Sequence, residues 1–284
     1  MNKIRSLIVS LLSATIGEML VVLRPEKAKK LSEKGMTVSI GDNGLSISER
    51  LMRRAILKKV ENRGSLDKLA EFHQNYWTNK GADFFAANNM RLEHVHLPFC
   101  DFIFDHLQEK LSTQPEKYNT LVEIGTGNGI VLDYLSSRFL EIERFIGIDL
   151  NEKQTKINQE HYKNNPKLEF VASDAFDWVN ENGQENTVFI TFMGVLEYFT
   201  EQRLYAFLRK LNSLGKIIFV AIEPNGIDHD FAKNPNSQVY GPERSFSHNY
   251  PRLFKTSGFE LWHSSKKELE GNSDYISFLG AINH

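Results

Sequence analysis

Cysteine is nearly absent from this sequence, since Cys100 is the single cysteine in 284 residues. One cysteine excludes a disulfide framework and a metal cluster built on cysteines, so no part of the chain requires an oxidising compartment. A large charge of one sign is also missing, because the formal net charge is −2. No overall basic field therefore indicates a nucleic acid as partner.

The residues that are present give an ordinary globular composition, with 41% apolar, 25% charged and 11% aromatic residues. The length suits one large domain, or one domain with an appendage. Charge is distributed unevenly: residues 1–70 hold 14 Lys/Arg and 7 Asp/Glu, whereas residues 71–284 hold 20 and 29. An acidic body of this kind does not suit binding of a long phosphate backbone.

The first two dozen residues combine a short basic start with apolar positions at helical spacing. These positions are Ile4, Leu7, Ile8, Leu11, Leu12, Met19, Leu20 and Leu23. The pattern favours an amphipathic helix packed on its own protein. A basic helix that docks a partner or a membrane surface is one alternative, and a cleaved signal is another. The segment is too polar and too short for a membrane span.

Up to about residue 115 the pattern is mainly helical. Helices are expected over residues 24–34, 49–60, 66–77 and 90–111, with a break or bend at Pro98. A hairpin is expected over residues 37–48, around Gly41–Gly44. The stretch Ser112–Lys117 contains Pro115 and is the best boundary. We therefore expect a mainly helical N-terminal extension or lid over residues 1–115 and a second domain over residues 116–284.

The second half alternates strands with helices. Strands are expected over 120–124, 144–149, 168–172, 187–192, 216–222, 259–263 and 275–282, and helices over 129–139, 152–163, 176–180, 201–211 and 249–256. This alternation predicts an α/β fold with crossover connections and a mainly parallel, buried sheet.

The strongest motif is Val122–Gly129, where a buried strand runs into Gly125, Gly127 and Gly129. Glycines let the chain turn sharply and let a ligand lie on the backbone. The start of the following helix is expected to offer unpaired N–H groups, at the strand ends where open parallel sheets bind ligands. The spacing differs from the dinucleotide fingerprint G-x-G-x-x-G, which makes a nicotinamide enzyme a minor alternative. A glycine turn without function is another.

Two aspartates close the next two strands. Asp149 ends the second strand and can accept hydrogen bonds from both hydroxyls of an adenosine ribose. Asp174 follows the third strand, where it can meet an adenine edge. Both have a structural alternative, since aspartate is favoured at helix N-caps, and Glu123 has one as an acid that caps the glycine loop.

Residues 118–284 resemble the class I S-adenosylmethionine-dependent methyltransferases. The resemblance rests on the acid-x-G-x-G-x-G loop, on Asp149 and on the series of strands. Phe192–Phe199 is similar to the motif after strand four in the small-molecule branch, with Tyr198 where many members carry histidine. The two closing strands resemble the strand six and seven hairpin of that fold. The resemblance implies a Rossmann-like sheet of seven mostly parallel strands, with the last strand antiparallel.

The resemblance also implies the cofactor, S-adenosyl-L-methionine, and the residues that hold it. Its methionine part is expected on the glycine loop, its ribose on Asp149, and its adenine beside Asp174. Tyr76 and Arg91, in the lid segment, are expected to reach its carboxylate, with ordinary packing as the alternative. The cofactor-binding residues expected are Tyr76, Arg91, Glu123, Gly125, Thr126, Gly127, Asn128, Gly129, Asp149, Leu150, Asp174, Ala175 and Met193.

Candidates for the acceptor side lie after the fifth strand. His248 is the expected base or substrate ligand, with a cap or loop contact as the alternative, and His229 and Glu223 are weaker candidates. Asp228–Asp230 contains an Asp-His-Asp run, but it lacks a second cluster at a metal-binding spacing. We therefore expect no metal and a solvated loop there.

These features together predict a methyltransferase that acts on a small molecule, with an oxygen acceptor in a natural product, sugar or metabolic intermediate favoured. A cofactor-binding scaffold without catalysis and a protein or nucleic-acid methyltransferase are the alternatives. We expect no nucleic-acid partner and a cytoplasmic location, and a homodimer is left open. The basic N-terminal segment is the expected docking surface for any partner or membrane.

Overall fold

The computed structural model describes residues 12–36, 45–268 and 274–284, apart from the side chains of residue 14 and residues 89–93. Contacts divide the chain into two compact units. The first unit contains residues 1–80 and 239–245, and the second contains residues 81–238 and 246–284. The boundary expected near residue 115 stays a prediction.

The first unit is helical in its described parts. A π-helical turn (Ser13–Gly17) leads into α1 (Glu18–Leu23), α2 (Pro25–Glu33), α3 (Ile47–Asn62) and the first part of α4 (Leu66–Arg91). A capping box starts α3: the Ser46 side chain accepts from the Glu49 N–H, and the Glu49 carboxylate accepts from the Ser46 N–H. The helix expected over residues 24–34 is confirmed. The hairpin expected over residues 37–48 falls largely on residues 37–44, which lie outside the described residues, and its end is wrong because α3 begins at Ile47.

The second unit contains the sheet and the helices that cover it. Its helices after α4 are α5 (Leu97–Ser112), α6 (Ile130–Arg138), α7 (Glu152–His161), α8 (Ala175–Asn182), α9 (Glu201–Asn212) and α10 (Tyr250–Thr256). Its main strands are β1 (Thr120–Ile124), β2 (Arg144–Asp149), β3 (Leu168–Ala172), β4 (Thr187–Phe192), β5 (Ile217–Gly226), β8 (Glu260–Glu268) and β9 (Asp274–Ile282). Two short strands that the sequence pattern did not predict, β6 (Gln238–Tyr240) and β7 (Ser245–Ser247), lie between β5 and α10.

The main sheet has the order β3-β2-β1-β4-β5-β9-β8. The pairs from β3 through β5 are parallel, whereas β9 runs antiparallel to both of its neighbours. The predicted fold class, with seven mostly parallel strands and an antiparallel last strand, is therefore confirmed. The order places the carboxyl ends of β1, β2 and β4 next to one another, at the edge where such sheets bind ligands.

Both faces of the sheet are buried. Along β1, Leu121 packs into one apolar cluster and Val122 into another, because successive side chains of a strand point to opposite faces. Phe104 of α5 belongs to the first cluster, and Phe207 of α9 belongs to the second. Burial on both faces explains why the strands are nearly continuous apolar runs. It also holds the strand ends rigidly beneath the loops that follow them.

Two helices differ from their predicted bounds. α4 continues to Arg91, well beyond the expected end at residue 77, and a second π-helical turn (Leu92–His96) follows it. The helix expected over residues 90–111 begins at Leu97, so the break expected at Pro98 coincides with the first turn of α5 and no bend follows it. A proline is tolerated there because the first N–H groups of a helix have no partner inside it.

Candidate active site

The glycine loop between β1 and α6 takes a backbone conformation that favours glycine. Gly125, Gly127 and Gly129 have φ angles of +71°, +54° and +79°. Neighbouring side chains also approach closely, since a Cβ at Gly125 would lie 2.6 Å from Cγ2 of Val195. Both conformation and packing therefore require glycine in this loop.

The amides of the glycine loop are paired within the protein. The N–H groups of Gly125 and Thr126 both donate to the Ile148 carbonyl oxygen, at 2.8 and 3.0 Å, and that of Gly129 donates to the Thr126 carbonyl oxygen at 3.0 Å. The expectation of unpaired N–H groups at the start of the following helix is wrong for Gly129 and Ile130, because the Ile130 N–H donates to the Asn128 side-chain oxygen at 3.3 Å.

Side chains of α7 and the segment after it hold the other side of the glycine loop. The buried Asn158 amide donates to the Gly127 carbonyl oxygen at 2.7 Å, and Gln154 donates to Asn158. The Tyr162 hydroxyl donates to the Asn128 carbonyl oxygen at 3.2 Å. The loop is thus fixed from two sides, as a preorganised ligand cradle requires.

Asp149 at the end of β2 joins the loop to α7. Its Oδ2 accepts from the Gly127 N–H at 2.9 Å, and its Oδ1 accepts from the Asn151 N–H at 2.8 Å. Burial raises the pKa of Asp149, and these backbone hydrogen bonds oppose the shift. Each carboxylate oxygen has a second lone pair for a ribose hydroxyl, so the carboxylate fits the predicted role while also ordering the loop.

Glu123 lies beneath the glycine loop and is buried. Its Oε2 accepts a 2.7 Å hydrogen bond from the Thr126 hydroxyl. Burial raises the pKa of Glu123 to about 8, with a smaller contribution in the same direction from Asp149. The geometry is that of the loop-capping alternative, and a contact of Glu123 with the cofactor stays a prediction.

Asp174 begins α8 as an N-cap. Its Oδ1 accepts from the N–H groups of Phe176 and Asp177, and its Oδ2 forms a 2.7 Å ion pair with Arg203 of α9. The capping alternative is therefore present in the structure. Neighbouring Ala175 is buried. The adenine contact expected for Asp174 and Ala175 stays a prediction, as does the one expected for half-buried Leu150.

A strained turn follows β4 and brings the next loop against the glycines. Met193 has a φ of +59°, and its N–H donates to the Ile222 carbonyl oxygen of β5 at 2.7 Å. A positive φ is unusual for a residue with a side chain, and such strain clusters at ligand sites. The turn sets Val195 against Gly125. Met193 itself directly follows β4, at the edge of the sheet where the ligand is predicted.

The C-terminal part of α4 covers the glycine loop. The Phe85 ring lies so close to Gly127 that a Cβ there would be 2.5 Å from the ring's Cζ atom. Gly81 packs beside the Asn151 side chain, and Asp83 pairs with Lys153 of α7 at 3.6 Å. Residues 81–85 thus lie over the loop and the end of β2, where a lid was expected from the N-terminal segment.

The two other lid candidates are placed differently. Tyr76 is buried in the first unit. Arg91 ends α4, and its side chain lies outside the described part of the chain. Contacts of Tyr76 and Arg91 with a cofactor carboxylate stay predictions.

The histidines proposed for the acceptor side are both buried and hydrogen bonded. His248 is within 2.6 Å of the Ser237 hydroxyl through Nδ1 and 3.1 Å of the Leu196 carbonyl oxygen through Nε2, and burial lowers its pKa to about 4. His229 contacts the Ser247 hydroxyl and the Asn234 carbonyl oxygen. The solvated loop expected at Asp228–Asp230 is confirmed for the two exposed aspartates and is wrong for His229, whose ring is buried. A catalytic role for His248 stays a prediction, although both of its nitrogens are engaged here.

Glu223 near the end of β5 is the more unusual acceptor-side residue. Its Oε2 accepts from the N–H groups of Val195 and Leu196, at 3.0 and 3.1 Å, and the Thr191 hydroxyl and the Glu197 N–H also lie close enough to lower its pKa. Burial raises the pKa of Glu223 to about 7, against the lowering effect of its hydrogen bonds. Glu223 also contributes to the strongly raised pKa of buried Tyr250, whose main cause is desolvation.

Comparison with known proteins adds to this geometry. Residues 121–216, which contain the glycine loop, Asp149, Asp174 and Met193, match the family model described as a methyltransferase domain. These residues form a methyltransferase domain. The resemblance to the class I S-adenosylmethionine-dependent enzymes is thereby confirmed for the part of the chain that carries its motifs.

Solved structures show that the fold extends beyond the matched residues of the methyltransferase domain. A Leishmania major S-adenosylmethionine-dependent methyltransferase has a TM-score of 0.53 and 11% identity, over 75% of this chain and 85% of that one. The complex between the Haloferax volcanii Trm112 methyltransferase activator and a candidate methyltransferase matches with a TM-score of 0.51 and 15% identity. The match covers 73% of this chain and 98% of that one. No sequence of a curated protein matches. At these identities the likeness establishes the fold.

The methyltransferase domain and its fold support S-adenosylmethionine as the cofactor. The residues present fit it: the Asp149 carboxylate at the end of β2 has lone pairs that a ribose hydroxyl could donate to, and the loop after β1 holds three glycines. Among the described residues, no group of three or more His, Cys, Asp and Glu side chains could hold a metal ion. No described helix is long and apolar enough to cross a membrane.

Proposed function

We propose that this chain is an S-adenosylmethionine-dependent methyltransferase that acts on a small molecule, with oxygen as the atom methylated. The observation that carries the proposal is the Asp149 carboxylate, which accepts from the Gly127 and Asn151 N–H groups at the edge of the sheet. When bound, the cofactor supplies an activated methyl group. The protein then has to position the acceptor, exclude water and accept a proton where the acceptor is a hydroxyl.

The cover over the glycine loop supports a small acceptor. Residues 81–85 of α4 approach the loop and α7 through Gly81, Asp83 and Phe85, which narrows access to the carboxyl ends of β1 and β2. Residues 71–284 also carry 29 acidic against 20 basic residues. This acidic balance disfavours nucleic acid as the acceptor.

Glu223 fits the role of proton acceptor better than His248 does. Backbone N–H groups of the loop after β4 hold its Oε2 in place, and its pKa of about 7 suits a base at neutral pH. Both nitrogens of His248 already contact protein oxygens. We propose Glu223 as the base and retain His248 as a residue that shapes the acceptor side.

The proposed location is the cytoplasm. Its support is the cofactor class together with Cys100, the single cysteine of the sequence, whose thiol is buried and unbridged. Burial raises the pKa of Cys100 above its ordinary value, so this thiol is unreactive at neutral pH.

Transfer of a labelled methyl group to a panel of hydroxyl, carboxyl and amine compounds, and to RNA and protein fractions, tests the proposal. We expect label in a small hydroxyl compound, at a rate that rises with pH up to about 7. Glu223→Gln should flatten this rise. Label in RNA or protein alone would contradict the acceptor class, and cofactor binding without any transfer would indicate a scaffold.

A further inference from the structure

The helical segment over residues 12–23 carries its large apolar side chains on the outside. The exposed fractions are 38% for Leu12, 41% for Ile16, 54% for Met19, 74% for Val22 and 67% for Leu23. The expectation that the apolar positions pack on their own protein is wrong for Leu12, Met19 and Leu23, whereas Leu20 is half-buried and the positions before residue 12 lie outside the described residues.

Small residues make the contact with the rest of the first unit instead. Ser13 and Gly17 are buried, and a Cβ at Gly17 would lie 2.6 Å from the Leu51 carbonyl oxygen of α3. The close approach of the two backbones at Gly17 fixes which face of the segment points inward. The opposite face, with the aliphatic side chains, is therefore held outward by packing.

The exposed aliphatic residues form one stripe. Leu12, Ile16, Met19 and Leu23 recur at spacings of four, three and four residues, which places them along one side of a helix. In the printed sequence, Ile4 and Ile8 continue the same spacing toward the N-terminus. We call Leu12, Ile16, Met19, Val22 and Leu23 the aliphatic stripe.

Positive charge accompanies the aliphatic stripe. Residues 1–34 hold seven Lys/Arg and three Asp/Glu. Arg24 and Lys30 are exposed directly after the stripe, and Lys29 is exposed beside Glu33, with which it forms a 3.8 Å ion pair. An aliphatic face combined with lysine and arginine is typical of helices that lie in the interface of an anionic membrane.

We propose that the aliphatic stripe and the basic residues that follow it bind the surface of an anionic phospholipid membrane. The charge favours this occupant over a second copy of the chain, because residues 1–70 have seven more basic than acidic residues and two such surfaces would repel each other. The same charge attracts anionic headgroups, while the stripe inserts among the acyl chains. This binding lays the helix on the membrane and is independent of the proposed methyl transfer.

Sedimentation of the full chain with vesicles tests the membrane proposal. Vesicles of phosphatidylcholine alone are compared with vesicles that also contain phosphatidylglycerol, at low and high salt. We expect binding to the anionic vesicles that weakens as salt rises. Met19→Ser combined with Leu23→Ser should weaken it about tenfold or more, because two inserted aliphatic side chains are lost.

Leu140→Ser is the matched control, since Leu140 is 71% exposed and lies outside the first unit; its binding should equal that of the unchanged chain. Equal binding to both vesicle types, or to neither, would overturn the proposal. So would anionic binding that survives the double substitution. A change in molecular mass in solution on the double substitution, without an effect on vesicle binding, would identify the stripe as an interface between copies.

Discussion

At the scale of single residues, the site depends on carboxylates whose environments differ sharply. Asp149 lies partly exposed at the strand end and accepts two backbone hydrogen bonds, whereas Glu123 is buried and accepts a hydrogen bond from the Thr126 hydroxyl. Burial without an opposite charge disfavours the ionised form of Glu123. We therefore expect Glu123 to keep its proton at neutral pH in the folded protein and to lose it on unfolding.

This difference predicts a pH dependence of stability. Between the ordinary glutamate pKa of 4.5 and the folded pKa of about 8, the unfolded chain has lost the Glu123 proton that the folded chain retains. The free energy of unfolding should therefore fall as pH rises, by about 1.4 kcal/mol per pH unit near pH 6 and by less as pH approaches 8. Glu123→Gln should remove this part of the slope while keeping an acceptor for Thr126. Urea unfolding at several pH values measures it, and an unchanged slope in the variant would show that Glu123 is ionised in the fold.

Some residues of the candidate site could be predicted from the sequence, and others could not. The glycine loop and Asp149 were recognisable because their spacing is local to two strand-helix junctions. The contact of Arg203 with Asp174 and the packing of Phe85 and Val195 on the glycines were not recognisable, because the partners lie at least 29 residues apart in the chain. Their positions follow from the fold, and residue spacing within one segment contains no signal for them.

At the scale of elements, α4 is the feature that the sequence predicted least well. Its second half contains Gly81, Asn88 and Asn89, which are poor helix formers, so propensity favoured an earlier end. In the structure Gly81 allows close contact with Asn151, and Phe85 covers Gly127. Packing in the second unit thus outweighs the local preference there.

The position of Phe85 predicts an effect on cofactor binding. The ring covers the Cα surface on which the cofactor is proposed to lie, so it has to move before the ligand enters. Phe85→Ala should speed association of S-adenosylhomocysteine by about threefold to tenfold. Stopped-flow binding measures this rate, with Phe84→Ala as a control of equal size on the same helix. Slower association in Phe85→Ala would mean that the ring helps to hold the ligand.

At the scale of the whole molecule, the alternation of strands and helices predicted a mainly parallel sheet, and the family resemblance implied the antiparallel last strand; both are confirmed. The composition of the two units was not accessible, since residues 239–245 join the first unit from a position late in the chain. Within that unit His73 contacts the Arg244 carbonyl oxygen at 3.2 Å, and Arg244 pairs with Glu61 at 2.8 Å. Contacts between residues so far apart in the chain produce no periodic pattern in the sequence from which they could be predicted.

Calorimetric titration with S-adenosylhomocysteine is the measurement that tests the central claim most directly. The unchanged chain should bind, and Asp149→Ala should weaken binding about 100-fold, because two hydrogen bonds to a charged group are lost. Glu169→Ala, which removes a carboxylate from the exposed ion pair between β3 and β2, should bind normally. Thermal unfolding verifies that both variants fold. Equal affinity in all three proteins, or no binding by the unchanged chain, would contradict the account.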